Sequence, residues 1–97
     1  MIRVFLVAVA LTNTASGDIA CGTCGEWGTA VATCPPGLVI QGVLFASYGL
    51  PTGDCGSYSA DLYCDAPNSE EVAVAACENG TSTCTIEANN GVFGDPW

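Results

Sequence analysis

The residues best suited to hold a ligand lie at the end of the chain, in Glu87-Ala88-Asn89-Asn90-Gly91-Val92-Phe93-Gly94-Asp95-Pro96-Trp97. An acidic residue, amides, glycines and a Gly94-Asp95-Pro96 turn surround one aromatic, Phe93, which reads as core. Just before them stands the close cysteine pair Cys77 and Cys84. Polar groups on a cross-linked loop suit a shallow site for a polar ligand. Carboxylates accept from hydroxyls in charge-assisted hydrogen bonds, and an amide both donates and accepts.

Several short elements must position those groups. Thr29–Thr33 alternates small apolar and polar residues and predicts a strand. Pro35-Pro36-Gly37 is a turn. Leu38–Tyr48 is rich in β-branched and aromatic residues and predicts the central strand, with Gly42 marking a bulge. Gly49–Ser57 predicts a loop tied down by Cys55, and Ser59–Tyr63 one helical turn. Asn68-Ser69-Glu70-Glu71 predicts a helix start, with Asn68 or Ser69 as cap and the glutamates favoured by the N-terminal partial charge. That helix runs to Cys77 and ends at Asn79-Gly80. Cys84–Glu87 predicts a short strand. The expected fold class is α+β: a small disulfide-rich domain, mainly antiparallel, with one short helix and long ordered loops.

The first residues are expected to lie outside the fold. Arg3 precedes the apolar run Val4–Leu11, and small residues follow, so residues 1–17 predict a signal peptide cleaved between Gly17 and Ala20. The run is far shorter than the roughly 20 residues that span a bilayer, so no membrane insertion is expected. Residues 18–97 are one domain, about 80 residues long, and the protein is expected to be secreted. Asn79-Gly80-Thr81 is an N-glycosylation sequon on a predicted surface turn.

Charge narrows the partners. The chain has 10 acidic residues against a single basic one, Arg3, and no histidine. A domain without Arg3 has no basic group to neutralise phosphate, so no nucleic acid partner is expected, nor an anionic membrane surface. A metal site would need carboxylates or thiolates alone, and neither metal nor cofactor is expected. Neutral ligands and basic protein partners remain.

All 7 cysteines (Cys21, Cys24, Cys34, Cys55, Cys64, Cys77, Cys84) follow the predicted leader. A chain this small needs cross-links beside its core, and secretion provides the oxidising compartment. Cys21-Gly22-Thr23-Cys24 has redox or zinc spacing, but no second such pair or histidine accompanies it. The odd number leaves at least one thiol over.

The order Glu26, Cys34-Pro35-Pro36-Gly37, Ile40, Ala46-Ser47-Tyr48-Gly49, Cys55, Cys64, Cys77, Cys84 and Ala88–Pro96 resembles the SUEL-type lectin domain. This is the family of rhamnose- and galactose-binding lectins. The resemblance runs from about Cys24 to Pro96. It implies non-catalytic, calcium-free binding of L-rhamnose or D-galactose, with a rhamnose/galactose-like glycan as partner. It implies that Glu26, Tyr48, Asn90 and Asp95 form the carbohydrate site. It implies disulfides Cys24–Cys55 and Cys77–Cys84, and leaves Cys21 able to pair with Cys64.

The chain departs from the family in places. Leu50 stands where the family has arginine, and Trp97 where it has cysteine. The family continues with a lysine-bearing segment and a final strand, so the protein is expected to extend past Trp97, and to belong to a larger parent chain. Two other classes stand beside the lectin. One is an extracellular protein-interaction module that has lost the sugar. The other is a glycosidase using Glu26 and Asp95, which about 80 residues are ill suited to enclose.

Overall fold

The structure, a computed structural model, describes residues 3–11, 19–78 and 81–94. The sequon asparagine Asn79, Asp95, Trp97 and most of the predicted cleavage region lie outside the described residues. The architecture is α+β and mainly antiparallel. Its elements are β1 (Val4–Leu11), β2 (Ile19–Gly25), β3 (Thr29–Thr33), β4 (Ile40–Gly49), α1 (Ser69–Cys77), β5 (Thr83–Glu87) and α2 (Asn90–Phe93). One sheet has the order β2-β1-β4, and β3 pairs with β5 in a second. All pairings are antiparallel.

The run Val4–Leu11, expected outside the fold, is the middle strand of the larger sheet. Phe5, Val7 and Val9 are fully buried toward the main core, and Leu6 and Ala8 are buried as well. A strand covered on both faces needs an unbroken apolar run, which is also what a leader needs.

The small sheet follows the alternation in its sequence. Ala30 and Ala32 of β3, and Cys84 and Ile86 of β5, point inward, while their neighbours face solvent. Small side chains let β3 approach β2 closely. A Cβ on Gly22 would lie 2.8 Å from the Val31 carbonyl oxygen.

In β4 the register slips twice. Ala8 pairs with Phe45 and Val9 with Val43, passing over Leu44; Ala10 pairs with Gly42 and Leu11 with Ile40, passing over Gln41. The expected irregularity at Gly42 is therefore a pair of bulges flanking it.

Helix α1 has the predicted start, with Glu70 and Glu71 in its first turn. Neither predicted side-chain cap forms. Asn68 caps through its backbone carbonyl, which accepts from the Val72 N–H at 3.0 Å. Ser69 Oγ accepts instead from the Tyr48 N–H and donates to the Ala66 carbonyl. The helical turn expected at Ser59–Tyr63 is absent. Thr52 and Ser59 form an isolated bridge, and Asp61 Oδ1 accepts from the N–H groups of Tyr63 and Cys64. A short acceptor side chain offers the backbone a turn in place of a helix.

The disulfides are Cys21–Cys55 and Cys77–Cys84, and Cys24, Cys34 and Cys64 are thiols. The second bridge is as expected. The first corrects the implied Cys24–Cys55 pair, and Cys21–Cys64 does not form. Residues three apart on a strand face opposite ways. Cys24 packs against the core, which turns Cys21 toward the loop carrying Cys55. Burial pushes the Cys24 and Cys34 thiols up from their ordinary pKa, so both are protonated, poor nucleophiles at neutral pH.

Closing 34 residues should stabilise more than closing 7. Loop-closure entropy gives about 4 kcal/mol for the first and about 2 kcal/mol for the second. The Cys21→Ser, Cys55→Ser double variant is thus expected to lower the urea midpoint more than Cys77→Ser, Cys84→Ser. Equal losses would show that chain entropy is not what these bridges supply.

Candidate functional site

The site is built at one end of the larger sheet. Val4 lies between Gly25 of β2 and Gly49 of β4, and Phe5 between Cys24 and Tyr48. The turn after β2 and the end of β4 therefore flank the start of β1. Arg3 comes just before it.

Tyr48 is fully buried. Its backbone N–H donates to Ser69 Oγ at 3.0 Å, and its carbonyl accepts from the Ala66 N–H at 2.9 Å. Its ring stacks on Phe93 with centroids 4.8 Å apart, and Phe93 in turn meets Phe5 at 5.1 Å. So fixed, the Tyr48 hydroxyl donates to Asn90 Oδ1 at 2.7 Å. A buried ring cannot face a ligand. The expectation that Tyr48 contacts sugar is corrected to an indirect role: it holds Asn90.

Asn90 is half-buried at the start of α2. With its oxygen engaged by Tyr48, its amide N–H groups are what it can offer a ligand. The adjacent Asn89 does different work. Its Oδ1 accepts from the Val92 N–H at 3.0 Å and caps α2. The helix ends at Gly94, whose φ of 78° suits glycine. Asp95 follows directly in sequence, outside the described residues.

Glu26 stands on the four-residue turn Gly25–Gly28, closed by the Gly28 N–H to the Gly25 carbonyl at 3.0 Å. Its own N–H donates to the Arg3 carbonyl at 2.8 Å. Its Oε1 lies 3.6 Å from Arg3 Nη1, and the two side chains are only 14% and 13% exposed. The turn is tied to the approach to α2. Trp27 N–H donates to the Ala88 carbonyl at 2.6 Å, and Ala88 N–H to the Gly28 carbonyl at 3.0 Å. Glu26 and Asn90 are thus carried by segments bonded to each other, although 64 positions separate them (90 − 26).

The arrangement offers a carboxylate and an amide donor at one sheet end, on rigid supports. That suits hydroxyl groups. Among the described residues no three His, Cys, Asp or Glu side chains converge as a metal site would require. None of the described helices is long and apolar enough to cross a membrane. A separate apolar groove of about 170 Å³, lined by Ala8, Ile19, Leu44, Phe45, Gly56 and Tyr58, lies farther along the sheet. It holds none of the expected site residues.

Two residues at this end were not foreseen. Arg3 falls in the predicted leader, so its pairing with Glu26 had no reason to be sought. Trp27 is 73% exposed on the Glu26 turn. The available signal is a large aromatic in the glycine-flanked stretch Gly25-Glu26-Trp27-Gly28, whose composition suits a turn better than a core strand.

Comparison with known proteins points one way. The sequence profile described as "D-galactoside/L-rhamnose binding SUEL lectin domain" matches residues 32–96. Tyr48, Asn90 and Asp95 fall inside that match; Arg3, Glu26 and Trp27 precede it. Beta-galactosidase 11 of Oryza sativa subsp. japonica is 46% identical over 66 residues, covering 68% of this chain and 8% of that protein. Beta-galactosidase 14 of Arabidopsis thaliana is 41% identical over 66 residues, 68% of this chain and 7% of that protein. The D-galactoside-specific lectin of Heliocidaris crassispina is 37% identical over 71 residues, 66% of this chain and 64% of the lectin. The chain thus spans less than a tenth of these plant enzymes and just under two thirds of the lectin. No solved structure matches significantly. The match over most of its length, together with the Tyr48-Gly49 and Asn90–Pro96 segments inside it, means that this chain belongs to the SUEL lectin domain family.

Proposed function

We propose that this chain is an extracellular, non-catalytic carbohydrate-binding module for D-galactose- or L-rhamnose-type sugars. The observation that carries the reading is the Tyr48–Asn90 hydrogen bond. It engages the Asn90 oxygen and leaves the amide donors for a ligand, on a segment bonded to the turn that carries Glu26. In this reading Asn90 donates to a sugar hydroxyl while Glu26 and Asp95 accept from others. Arg3 Nη1 lies 3.6 Å from Glu26 Oε1, so the carboxylate would meet the sugar as one half of an ion pair. Each bond replaces one to water and yields about 1 kcal/mol, so binding at a single site is weak.

The relative from Heliocidaris is named for D-galactoside specificity, which supports a galactose-type ligand. The similarity to plant β-galactosidases covers 8% or less of those chains and lends no support to hydrolysis. It does support placement of the module within a longer parent chain. The two disulfides fit an oxidising compartment, and in a secreted protein Asn79 is a glycosylation site.

Calorimetric titration of the folded protein with D-galactose and L-rhamnose tests the reading. Wild type is expected to bind one of them with a dissociation constant on the order of millimolar. Asn90→Ala should weaken binding about fivefold, the loss of one neutral bond, and Asp95→Ala about tenfold, at the lower end for charge-assisted bonds. Tyr48→Phe should weaken it less and leave the domain folded. A folded wild type that binds neither sugar would sink the proposal.

A further inference from the structure

We propose that Trp27 is the aromatic platform of the carbohydrate site, stacking its indole on the apolar C–H face of the sugar; this rests on the function proposed above. Pyranoses have one face of C–H groups and a rim of hydroxyls. Glu26 and Asn90 provide for the rim. The face needs an exposed ring, and neither Tyr48 nor Phe93 can supply one, because both are buried.

Trp27 meets the requirement in three ways. It is 73% exposed, although a tryptophan without a binding role is normally drawn into the core. Its φ is 70°, and it is the one non-glycine residue with positive φ among the described residues. In a turn with positive φ at the third position only, glycine or asparagine is the ordinary occupant, and a bulky aromatic is an outlier. Holding a large ring in such a backbone, out in water, disfavours the fold. Outliers of this kind concentrate where a ligand is gripped. The turn is also anchored at the site. Glu26 N–H is held by Arg3, and Trp27 N–H and the Gly28 carbonyl by Ala88, two residues before Asn90. The backbone that carries the indole is therefore fixed next to Glu26 and bonded to the segment that leads to Asn90, so the turn itself has little freedom left to lose on binding.

A core role and a ligand role predict opposite effects for Trp27→Gly. Glycine relieves the positive-φ residue and removes the ring. The urea midpoint is expected to stay or rise, while affinity for the bound sugar falls about five- to tenfold, the amount that burying one sugar face gives. Trp27→Phe should recover most of that affinity. The chain has 2 tryptophans, so in a Trp97→Phe background Trp27 alone reports. D-galactose or L-rhamnose, whichever the wild type binds, should then shield its fluorescence from acrylamide.

If sugar binds with unchanged affinity to Trp27→Gly, or leaves Trp27 unshielded, the platform is overturned and the lectin function stands. If Trp27→Gly unfolds the domain, the residue is structural and the proposal fails. If the wild type binds neither sugar, function and platform fall together.

Discussion

A chain beginning at Asp18 is expected not to fold by itself. The predicted leader and the central strand β1 are the same residues, and the packing of β1 decides what their loss costs. Phe5, Leu6, Val7 and Val9 are all buried. At about 1.5–3 kcal/mol per large side chain, these four contribute roughly 6–12 kcal/mol. The whole stability of a small domain is about 5–15 kcal/mol. Losing β1 also parts β2 from β4, which touch the sheet only through it, and leaves two strand edges unpaired. Residues 18–97, refolded with their disulfides, should show no near-UV circular dichroism and should aggregate. The full chain should be monomeric and folded. A folded monomer of residues 18–97 would mean that β1 is dispensable, or that its slot accepts another strand. The intact mass of protein secreted from cells shows which form nature uses.

The same residues explain how far the sequence could be read. β3, β5 and α1 were legible because each carries a local signal: alternation in Thr29–Thr33 and Cys84–Glu87, two glutamates after Asn68-Ser69. β1 was not legible as a strand. An apolar run of 8 residues serves a strand buried on both faces and a leader's core equally well, and periodicity cannot separate them. β2 was hidden because Ile19–Gly25 holds two glycines and two cysteines, which read first as a cysteine motif. The choice between Cys21 and Cys24 for Cys55 depends on which face of β2 meets the core, and no spacing gives that.

The site shows the same division. The resemblance indicated Tyr48 and Asn90 individually. Their roles followed only from the fold, where Tyr48 is buried and donates across 42 positions to Asn90. Glu26 was also indicated, but the match to the family begins after it, and its pairing with Arg3 depends on β1 lying in the sheet. Sequence thus named the polar groups. It could not distinguish a buried residue that holds another from one left partly open, because that depends on long-range packing.

Gly49→Ala is expected to unfold the domain or bring it to the edge of unfolding, although it adds one carbon. Gly49 ends β4 and forms an isolated bridge with Asp65. A Cβ there would lie 2.6 Å from the Cys64 carbonyl carbon and closer still to its oxygen. The obstacle is backbone, so no side-chain rotation relieves it. The 64–66 segment would have to leave β4. That would break Leu50 N–H to Cys64, Ala66 N–H to Tyr48, and Ser47 Oγ to Asp65, and would strain the Tyr48 N–H to Ser69 bond. At about 1 kcal/mol each, the three broken bonds amount to about 3 kcal/mol, close to what the longer disulfide contributes. Tyr48 is among the residues released, and with it the hydroxyl that orients Asn90. Sugar affinity should therefore fall in whatever fraction stays folded. Gly25→Ala is the matched control, since a Cβ there meets nothing within 4 Å. Urea unfolding of both variants checks the argument. Equal midpoints would show that β4 and the Cys64 segment can separate at little cost, and that the support assigned to Tyr48 is not what holds it.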